Sequence, residues 1–224
     1  MAKRPYFVVG NEKSIILEKE AEFVYLPGFA PSQKRKNVLA LHEAISKISP
    51  EAKILEISTK SELELGRQLS AFNLTWKIGD HHYPVECIFQ GCKVFQKGGP
   101  YKDLIKGKPL QAKRDVRLKE SGELKEFQFR GESWPLIPYS LFYDYVYINA
   151  LMTHPELCEQ VVHYDTFTDI EFNPNKSINC QARSVAIFVT LNRLNQLDKV
   201  SSQSLFSTLY SKQSVNNQEP LPFS

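Results

Sequence analysis

With 224 residues, the chain is long enough for one domain, or for one domain with an appended subdomain, and it needs no disulfide or metal to hold a core. Hydrophobic residues make up 42% and charged residues 24%, which argues against disorder, while the net charge of +3 says little by itself. An apolar run of only four residues precedes Gly10, and no run reaches eighteen. We therefore expect neither a signal peptide nor a transmembrane helix, and a cytoplasmic protein.

The cysteines are Cys87, Cys92, Cys158 and Cys180. They form no CxxC pair and have no Cys/His ligand spacing, so the sequence indicates neither a zinc site nor a disulfide framework. We predict reduced thiols and no bound metal.

The first elements are predicted to be short strands. Tyr6–Val9, Ile15–Leu17 and Glu22–Leu26 favour β structure and are separated by turn residues at 10–11 and 27–28, which predicts a small antiparallel meander. A run with helical spacing follows, from an N-cap at Ser32 to a stop at Pro50. Another strand is predicted at Lys53–Ile57.

From Pro84 onward the pattern predicts mostly helices. One starts with Pro84 in its first turn and ends at the glycine pair before Pro100. The aromatic-rich run Leu141–Leu151 predicts a buried helix, and Ser177–Leu197 the longest helix. After Val200 the composition turns to Ser, Gln and Asn with one apolar cluster at 205–210, and we expect the last dozen residues to form a loose tail. The predicted division is 1–57 as a β/α subdomain, 58–200 as the catalytic domain and 201–224 as a partly disordered extension.

The stretch from Leu69 to Phe95 carries the most chemical information. Glu86, Gln90 and Lys93 are spaced four and then three apart, so they share one face of the predicted helix with Phe89. The opposite side of this helix is apolar, with Val85, Ile88, Cys92 and Phe95. The polar row is either a surface ladder or the wall of a half-buried pocket, and the apolar second side favours the pocket. Glu86 falls in the first turn, where the helix dipole favours an ionised carboxylate.

These residues resemble the NADAR family, whose best-known bacterial member is YbiA. The family has a segment (L/F)SNF, a short linker and a helix of the form xEHxxQxxKF. The matching positions are Leu69, Ser70, Ala71, Phe72, Glu86, Gln90, Lys93 and, shifted by one, Phe95. Ala71 stands where the family usually has Asn, and Cys87 where it usually has His. These departures indicate a divergent subfamily.

The family's closing motif is a Trp-Gly segment, an Asn that opens the last long helix and a later Arg. Here 169–175 stands at the Trp-Gly and Asp positions without the tryptophan, and Asn179 matches the Asn. Arg183 or Arg193 corresponds to the Arg. The two motifs anchor residues 55–195.

Longer blocks narrow the resemblance to a subgroup. Five blocks are similar to NADAR proteins encoded beside DarT-type ADP-ribosyltransferase toxins. They are PGFAPSQKRKNVLALHEA, EISTKSELELGRQLSAFNL, GGPYKDL, FYDYVYINAL and YDTFTDIEFNPNKSINCQAR. That group acts as antitoxins that remove ADP-ribose from guanine in DNA. The resemblance implies a YbiA-like α+β domain, mainly helical with a small N-terminal antiparallel β region. It implies no cofactor, and as partners ADP-ribosylated DNA, ADP-ribose as product and a cognate toxin.

Two other functions stay open. One is a YbiA-like N-glycosidase that acts on a free metabolite, such as a riboflavin-pathway intermediate. The other is a non-catalytic module that binds ADP-ribose or NAD, or that neutralises a toxin by direct contact.

The implied reaction assigns roles to three side chains. An N-glycosidic bond breaks through an oxocarbenium-like state, so Glu86 is expected to stabilise the cation or activate water. Lys93 would pair with phosphate or engage the opened sugar. Asp169 is an acid/base candidate, although a capping role in its loop is equally open.

Further residues are expected to bind substrate. They are Ser58, Lys60, Ser70, Phe72, Gln90, Trp134, Tyr143, Asp144, Asn179 and Arg183. The aromatic ones among them are candidates to stack on a base and equally candidates for the core. Asp144, inside an apolar run, is either a substrate contact or a buried carboxylate with partners.

A basic segment follows the motif helix. Nine basic residues fall between positions 93 and 119. They are Lys93, Lys97, Lys102, Lys106, Lys108, Lys113, Arg114, Arg117 and Lys119. The segment is either a solvated surface or a grip on DNA phosphates, for which we select Lys102, Lys106, Lys113, Arg114 and Arg117. Because the target nitrogen lies inside a duplex, single-stranded DNA or an extruded base is the expected substrate.

Overall fold

A computed structural model describes residues 1–28, 30–175 and 177–211. Its strands are β1 Ala2–Val9, β2 Ile16–Phe23, β3 Ile54–Glu56, β4 Thr75–Ile78, β5 His81–Pro84, β6 Lys93–Phe95, β7 Leu124–Phe129, β8 Glu132–Trp134 and β9 Thr166–Thr168. Its α-helices are α1 Pro31–Ile48, α2 Glu64–Gln68, α3 Val85–Gly91, α4 Pro109–Lys113, α5 Arg117–Glu120, α6 Leu141–Met152, α7 Pro155–Val161, α8 Gln181–Arg193 and α9 Gln203–Ser211. Short 3₁₀ helices span Lys102–Lys106 and Leu197–Ser201. The predicted α+β class is confirmed.

The main sheet has four strands in the order β2-β1-β9-β3. β1 and β2 form a long antiparallel hairpin from Ala2↔Phe23 to Val9↔Ile16, so the predicted three-stranded meander is wrong. The third predicted strand is instead the end of β2 and a connection to α1. The backbone of Leu26 leaves the sheet because its N–H and C=O both bond to the buried side chain of Asn37, at 2.7 and 2.8 Å.

Helix α1 covers one face of this sheet. Its buried residues Val38, Leu41 and Ile45 pack in one hydrophobic cluster with residues of β1 and β2. The helix begins at Pro31 with Ala30 as N-cap, so the predicted cap at Ser32 is wrong, since proline's missing N–H suits the first turn. It ends two residues before Pro50, close to the predicted stop.

The core of the chain is built around α6 and α8. The predicted buried helix at 141–151 is confirmed by α6, and α8 packs against both α6 and β1. α8 has 13 residues and α1 has 18, so the prediction that 177–197 is the longest helix is wrong. One hydrophobic cluster contains Phe7, Val185 and Phe206, from all three predicted segments, and the predicted domain division stays a prediction.

The predicted helix at 84–97 is much shorter. Pro84 ends β5 and caps α3, which stops at Gly91, and 93–95 pair with β7 in the three-stranded sheet β6-β7-β8. The described residues after Pro84 are mostly helical, as predicted, and the short strands β6 to β9 lie among the helices. The apolar residues at 93–95 fit either a helical or a strand repeat. They form a strand because β7, distant in sequence, offers backbone hydrogen-bond partners.

The segment after Val200 is helical where the structure describes it. The apolar cluster at 205–210 lies in α9, and the ring of Phe206 packs 6.3 Å from that of Tyr145 on α6. Residues 212–224, which include the last dozen expected to be loose, lie outside the described residues.

Candidate active site

A cavity of about 700 Å³ lies where α3, α4, the end of β9 and the segment before α8 meet. This volume is within the range of sites that bind drug-sized ligands, which is roughly 300–1,000 Å³. The lining residues are Ser58, Thr59, Lys60, Ser70, Ala71, Phe72, Glu86, Phe89, Gln90, Lys93, Leu110, Lys113, Arg114, Tyr143, Asp169, Glu171, Phe172, Ser177, Ile178, Asn179 and Gln181. The cavity therefore combines carboxylates, amines, amides and aromatic rings.

Glu86 is fixed by the backbone before α3. Its N–H donates to the carbonyl of Ala71 at 3.0 Å, which ties the first turn of α3 to the segment that precedes it in the motif. Glu86 is buried, with 6% of the residue exposed. Its Oε1 accepts a hydrogen bond from Gln90 Nε2 at 2.9 Å and lies 3.9 Å from Lys113 Nζ. A carboxylate is thus held inside the cavity wall with one amide and one ammonium beside it.

Lys93 reaches the same cavity from a different element. It begins β6 instead of continuing α3, so the predicted single helix face with Glu86 and Gln90 is wrong for Lys93. Its Nζ lies 4.6 Å from the ring centroid of Phe89. Burial lowers the pKa of the Lys93 amine to about 8; Glu86 opposes this shift and Lys113 adds to it. A fraction of the amine is therefore neutral near physiological pH.

Asp169 lies on the opposite wall, directly after β9. Its Oδ1 accepts a hydrogen bond from the backbone N–H of Glu171 at 3.0 Å. Burial raises the pKa of the Asp169 carboxyl well above its usual range, and the nearby buried carboxyl of Glu56 raises it further. Burial and Glu56 therefore both favour the protonated form of the Asp169 carboxyl.

The side chain of Gln181 connects two backbone segments beside the cavity. Its Oε1 accepts from the N–H of Ala71 at 2.8 Å, and its Nε2 donates to the carbonyl of Ile57 at 2.6 Å. The side chain thus joins the first turn of α8 to the motif segment and to the end of β3. Ala71, where the family has Asn, leaves that point of the cavity without a polar side chain.

Seven of the ten predicted substrate-binding residues line the cavity. They are Ser58, Lys60, Ser70, Phe72, Gln90, Tyr143 and Asn179. Phe72 presents a ring over which Lys113 Nζ lies at 5.2 Å from the centroid. The side-chain carbonyl oxygens of Gln90 and Asn179 are buried without a hydrogen-bond partner. That these seven residues bind a ligand remains a prediction, but their side chains line the same cavity.

The other three lie elsewhere. Trp134 is 0% exposed and packs in the core against Tyr145, with ring centroids 4.3 Å apart, so it is not available to stack on a base. Asp144 is also 0% exposed and accepts from Arg183, from Ser184 at 2.5 Å and from Tyr210 at 2.5 Å. Asp144 is a buried carboxylate with partners, and Arg183 is its counter-ion.

The basic residues divide into three groups. Lys113 and Arg114 line the cavity at the end of α4, where a phosphate on a bound ligand would meet them. Lys102 and Lys106 are exposed on a 3₁₀ helix that packs against α3, outside the cavity lining. Arg117 bonds to Asp103 at 2.6 Å and to Asp115 at 2.8 Å, so carboxylates already neutralise its guanidinium, and its contact with DNA phosphate stays a prediction.

Comparison with known proteins identifies the family. Residues 2–220 match the family described as DarT1-associated NADAR antitoxin, which is nearly the whole chain. The chain belongs to this family. The resemblance found in the motifs around Glu86 and Asn179 is thereby confirmed, including the subgroup. No curated protein matches the chain.

The second NADAR departure lies outside the cavity. Cys87, where the family usually has His, is buried against Leu104 and Ala112, and its thiol donates to the carbonyl of Gly107 at 3.3 Å. This substitution therefore alters how α3 packs against its neighbours and leaves the cavity lining unchanged.

Sequence reasoning missed several NADAR cavity residues. Gln181 and Phe172 fall in the quoted C-terminal block, where only Asp169, Asn179 and Arg183 were singled out. Glu56 stands in the block EISTK, and its strand position gave no indication that its carboxyl lies beside Asp169. Within the described part of the chain, none of the helices is long and apolar enough for a membrane crossing.

Proposed function

We propose that this NADAR protein hydrolyses the N-glycosidic bond between ADP-ribose and guanine in DNA, and so reverses the modification made by a cognate DarT-type toxin. The observation that carries the proposal is the buried carboxylate of Glu86 in a cavity of about 700 Å³ that also contains Lys93 and Asp169. Membership of the antitoxin family supports the direction of the reaction.

The reaction needs a base and an acid. The bond between ribose C1 and the guanine nitrogen breaks, and its electron pair leaves with the guanine. Water adds its oxygen to C1 and gives a proton to Glu86, whose negative charge also stabilises the oxocarbenium-like state. Asp169, protonated because of its burial, supplies the proton to the departing nitrogen. The proton on Glu86 then returns to Asp169 through solvent, and both groups are restored.

Lys93 acts on the ribose or the diphosphate. Its pKa of about 8 leaves the amine mostly charged at pH 7, so it can bind a phosphate oxygen, and partly neutral above that pH. Phe72 and Tyr143 offer ring faces for a base.

The DNA strand approaches from the side of α4. Lys113 and Arg114 lie at the cavity, and the exposed Lys102 and Lys106 extend the positive surface beside it. Such a surface binds phosphates without regard to sequence. A guanine base must enter the cavity alone, so we propose single-stranded DNA or an extruded base as substrate.

The test uses single-stranded DNA that carries ADP-ribosylated guanine. The wild-type protein should release free ADP-ribose and restore unmodified guanine, and in H₂¹⁸O the label should appear at ribose C1. Glu86→Gln should lower kcat by at least about 100-fold, the lower end of the effect of a general base, while ADP-ribose binding persists. Glu123→Gln, an exposed carboxylate paired with Lys125, is the matched control and should keep full activity.

The same assay separates the alternatives. A module that only binds ADP-ribose would release nothing, and a partner-binding antitoxin would neutralise the toxin equally well with Gln at position 86. An enzyme for a free metabolite would leave the modified DNA intact. Any of these results overturns the proposal.

A further inference from the structure

Glu56 is a buried carboxylate that the proposed chemistry leaves without a role. It is 2% exposed and ends β3, directly opposite Thr168 in the parallel pairing with β9. Its Oε1 accepts from Ser58 Oγ at 2.6 Å and from the N–H of Ile170 at 2.9 Å, and its Oε2 accepts from Thr168 Oγ1 at 2.6 Å. Burial raises the pKa of the Glu56 carboxyl, and the three donors aimed at it oppose that effect because they favour the ionised form.

The donors to Glu56 are themselves neutral. Thr168 gives its only hydroxyl proton to Glu56, so at the 2.8 Å contact with His42 Nε2 its oxygen must accept. The imidazole therefore carries its proton on Nε2. Burial lowers the pKa of His42 to about 4, so at neutral pH it adds no positive charge. The negative charge of Glu56 is stabilised by dipoles alone and still acts on its neighbours.

Asp169 is the neighbour most affected. It lies between Thr168 and Ile170, both of which bond to Glu56. It accepts from the N–H of Glu171 at 3.0 Å and, in a longer and weaker contact, from the thiol of Cys180 at 3.9 Å, whereas Glu56 has three short donors. Two buried carboxyls this close titrate as a pair, and the first proton goes to the one with fewer donors. We propose that Glu56 is a positioning residue whose ionised carboxylate keeps the proton on Asp169. This inference rests on the proposed function for the step in which Asp169 gives up that proton.

The other groups around Asp169 do not replace Glu56. On its own loop, Glu171 is partly exposed and pairs with Lys34 of α1 at 3.2 Å, which offsets its charge. From α6 and the start of α8, the pKa values of Tyr143, Tyr147 and Cys180 are raised by burial, so these groups are neutral. Burial and Glu56 both raise the pKa of Asp169, in that order.

The test is a titration of the carboxyl carbons by ¹³C NMR on the full, ligand-free protein. At pH 7 the wild type should show Asp169 protonated and Glu56 ionised. In Glu56→Gln the titration of Asp169 should move to lower pH by about one unit or more, as expected when a like charge is removed. Glu171→Gln is the matched control and should move it less, because Lys34 offsets that charge.

Activity gives a second readout. With ADP-ribosylated DNA, the alkaline limb of kcat against pH should move to lower pH in Glu56→Gln by the same amount, since kcat reports the acid in the complex. A purely structural role would lower kcat at every pH and leave the limb in place, which would overturn the inference.

The two proposals fail separately. If the wild type releases no ADP-ribose, the proposed function fails, and the NMR titration still decides the role of Glu56. If Glu56→Gln does not fold, the wild-type spectrum alone decides. Ionised Asp169 at pH 7, or a proton on Glu56 instead, would overturn the inference.

Discussion

Replacing Lys93 with methionine should stabilise the free protein at neutral pH. Burial lowers the pKa of the amine from its usual 10.5 to about 8. The pKa is thus lowered by 10.5 − 8 pH units, each of which corresponds to about 1.4 kcal/mol. The charged, buried ammonium therefore lowers the free energy of unfolding by about 3 kcal/mol. Methionine fills the same linear space without that charge. Because buried Glu86 then loses a positive neighbour, we expect a net gain of about 1–2 kcal/mol.

The direction in which the unfolding free energy changes with pH tests this reasoning. A lysine whose pKa is lowered in the folded state contributes full stability above its unfolded pKa of 10.5 and loses it as pH falls through about 8. The unfolding free energy of the wild type minus that of Lys93→Met should therefore rise by about 2–3 kcal/mol between pH 7 and pH 10. Other alkaline groups titrate in both proteins and cancel in the difference.

The assay is urea unfolding at a series of pH values, followed by tryptophan fluorescence. Both tryptophans, Trp76 and Trp134, are buried and report loss of the core. Lys97→Met, on the same segment but exposed, is the control and should give a difference that does not change with pH. A flat difference for Lys93→Met as well would refute the desolvation of this amine. Activity should be lost in Lys93→Met at every pH.

Three further variants test the roles of the basic residues. Arg183→Met leaves the buried Asp144 without its counter-ion and should lower the unfolding free energy by about 3–5 kcal/mol in urea titrations. ADP-ribose affinity of the folded protein should be unchanged; weaker binding at unchanged stability would make Arg183 a ligand contact. Lys113→Gln with Arg114→Gln should lower the slope of log binding constant for single-stranded DNA against log salt by about 1.4, or about 0.7 per phosphate contact. Arg117→Gln should leave the slope unchanged, because its partners are carboxylates, and an equal decrease would contradict the structure.

The spacing of apolar residues within a short stretch of sequence was sufficient to predict some helices and strands. The apolar run of α6 and the helical spacing of α1 gave correct helices, and the strand around Leu55 was found from a few β-favouring residues. The placement of Glu86 in a first helical turn also followed from local sequence. These features depend on residues within a few positions of one another, which is what periodicity measures.

Pairing between distant segments could not be found in this way. β9 lies between β1 and β3 in the sheet, although the three strands are far apart in sequence. The parallel pairing of β9 with β3 brings Glu56 beside Asp169. Composition could not decide the role of the buried Asp144. Its place inside an apolar helix left a substrate contact and a buried carboxylate with partners open, and the partners that decide for the second come from α8 and α9.

The end of α3 shows why the site could be recognised but its geometry could not. At Gly91 an added Cβ would lie 2.5 Å from the side chain of Ile105, so only glycine lets the 3₁₀ helix approach this closely. The chain then leaves the helix, and Lys93 pairs with Phe127 of β7. The separation of Glu86 and Lys93 is therefore set by strand pairing and not by the helical repeat. The motif indicates which groups meet, whereas pairing with a strand more than thirty positions later sets their geometry.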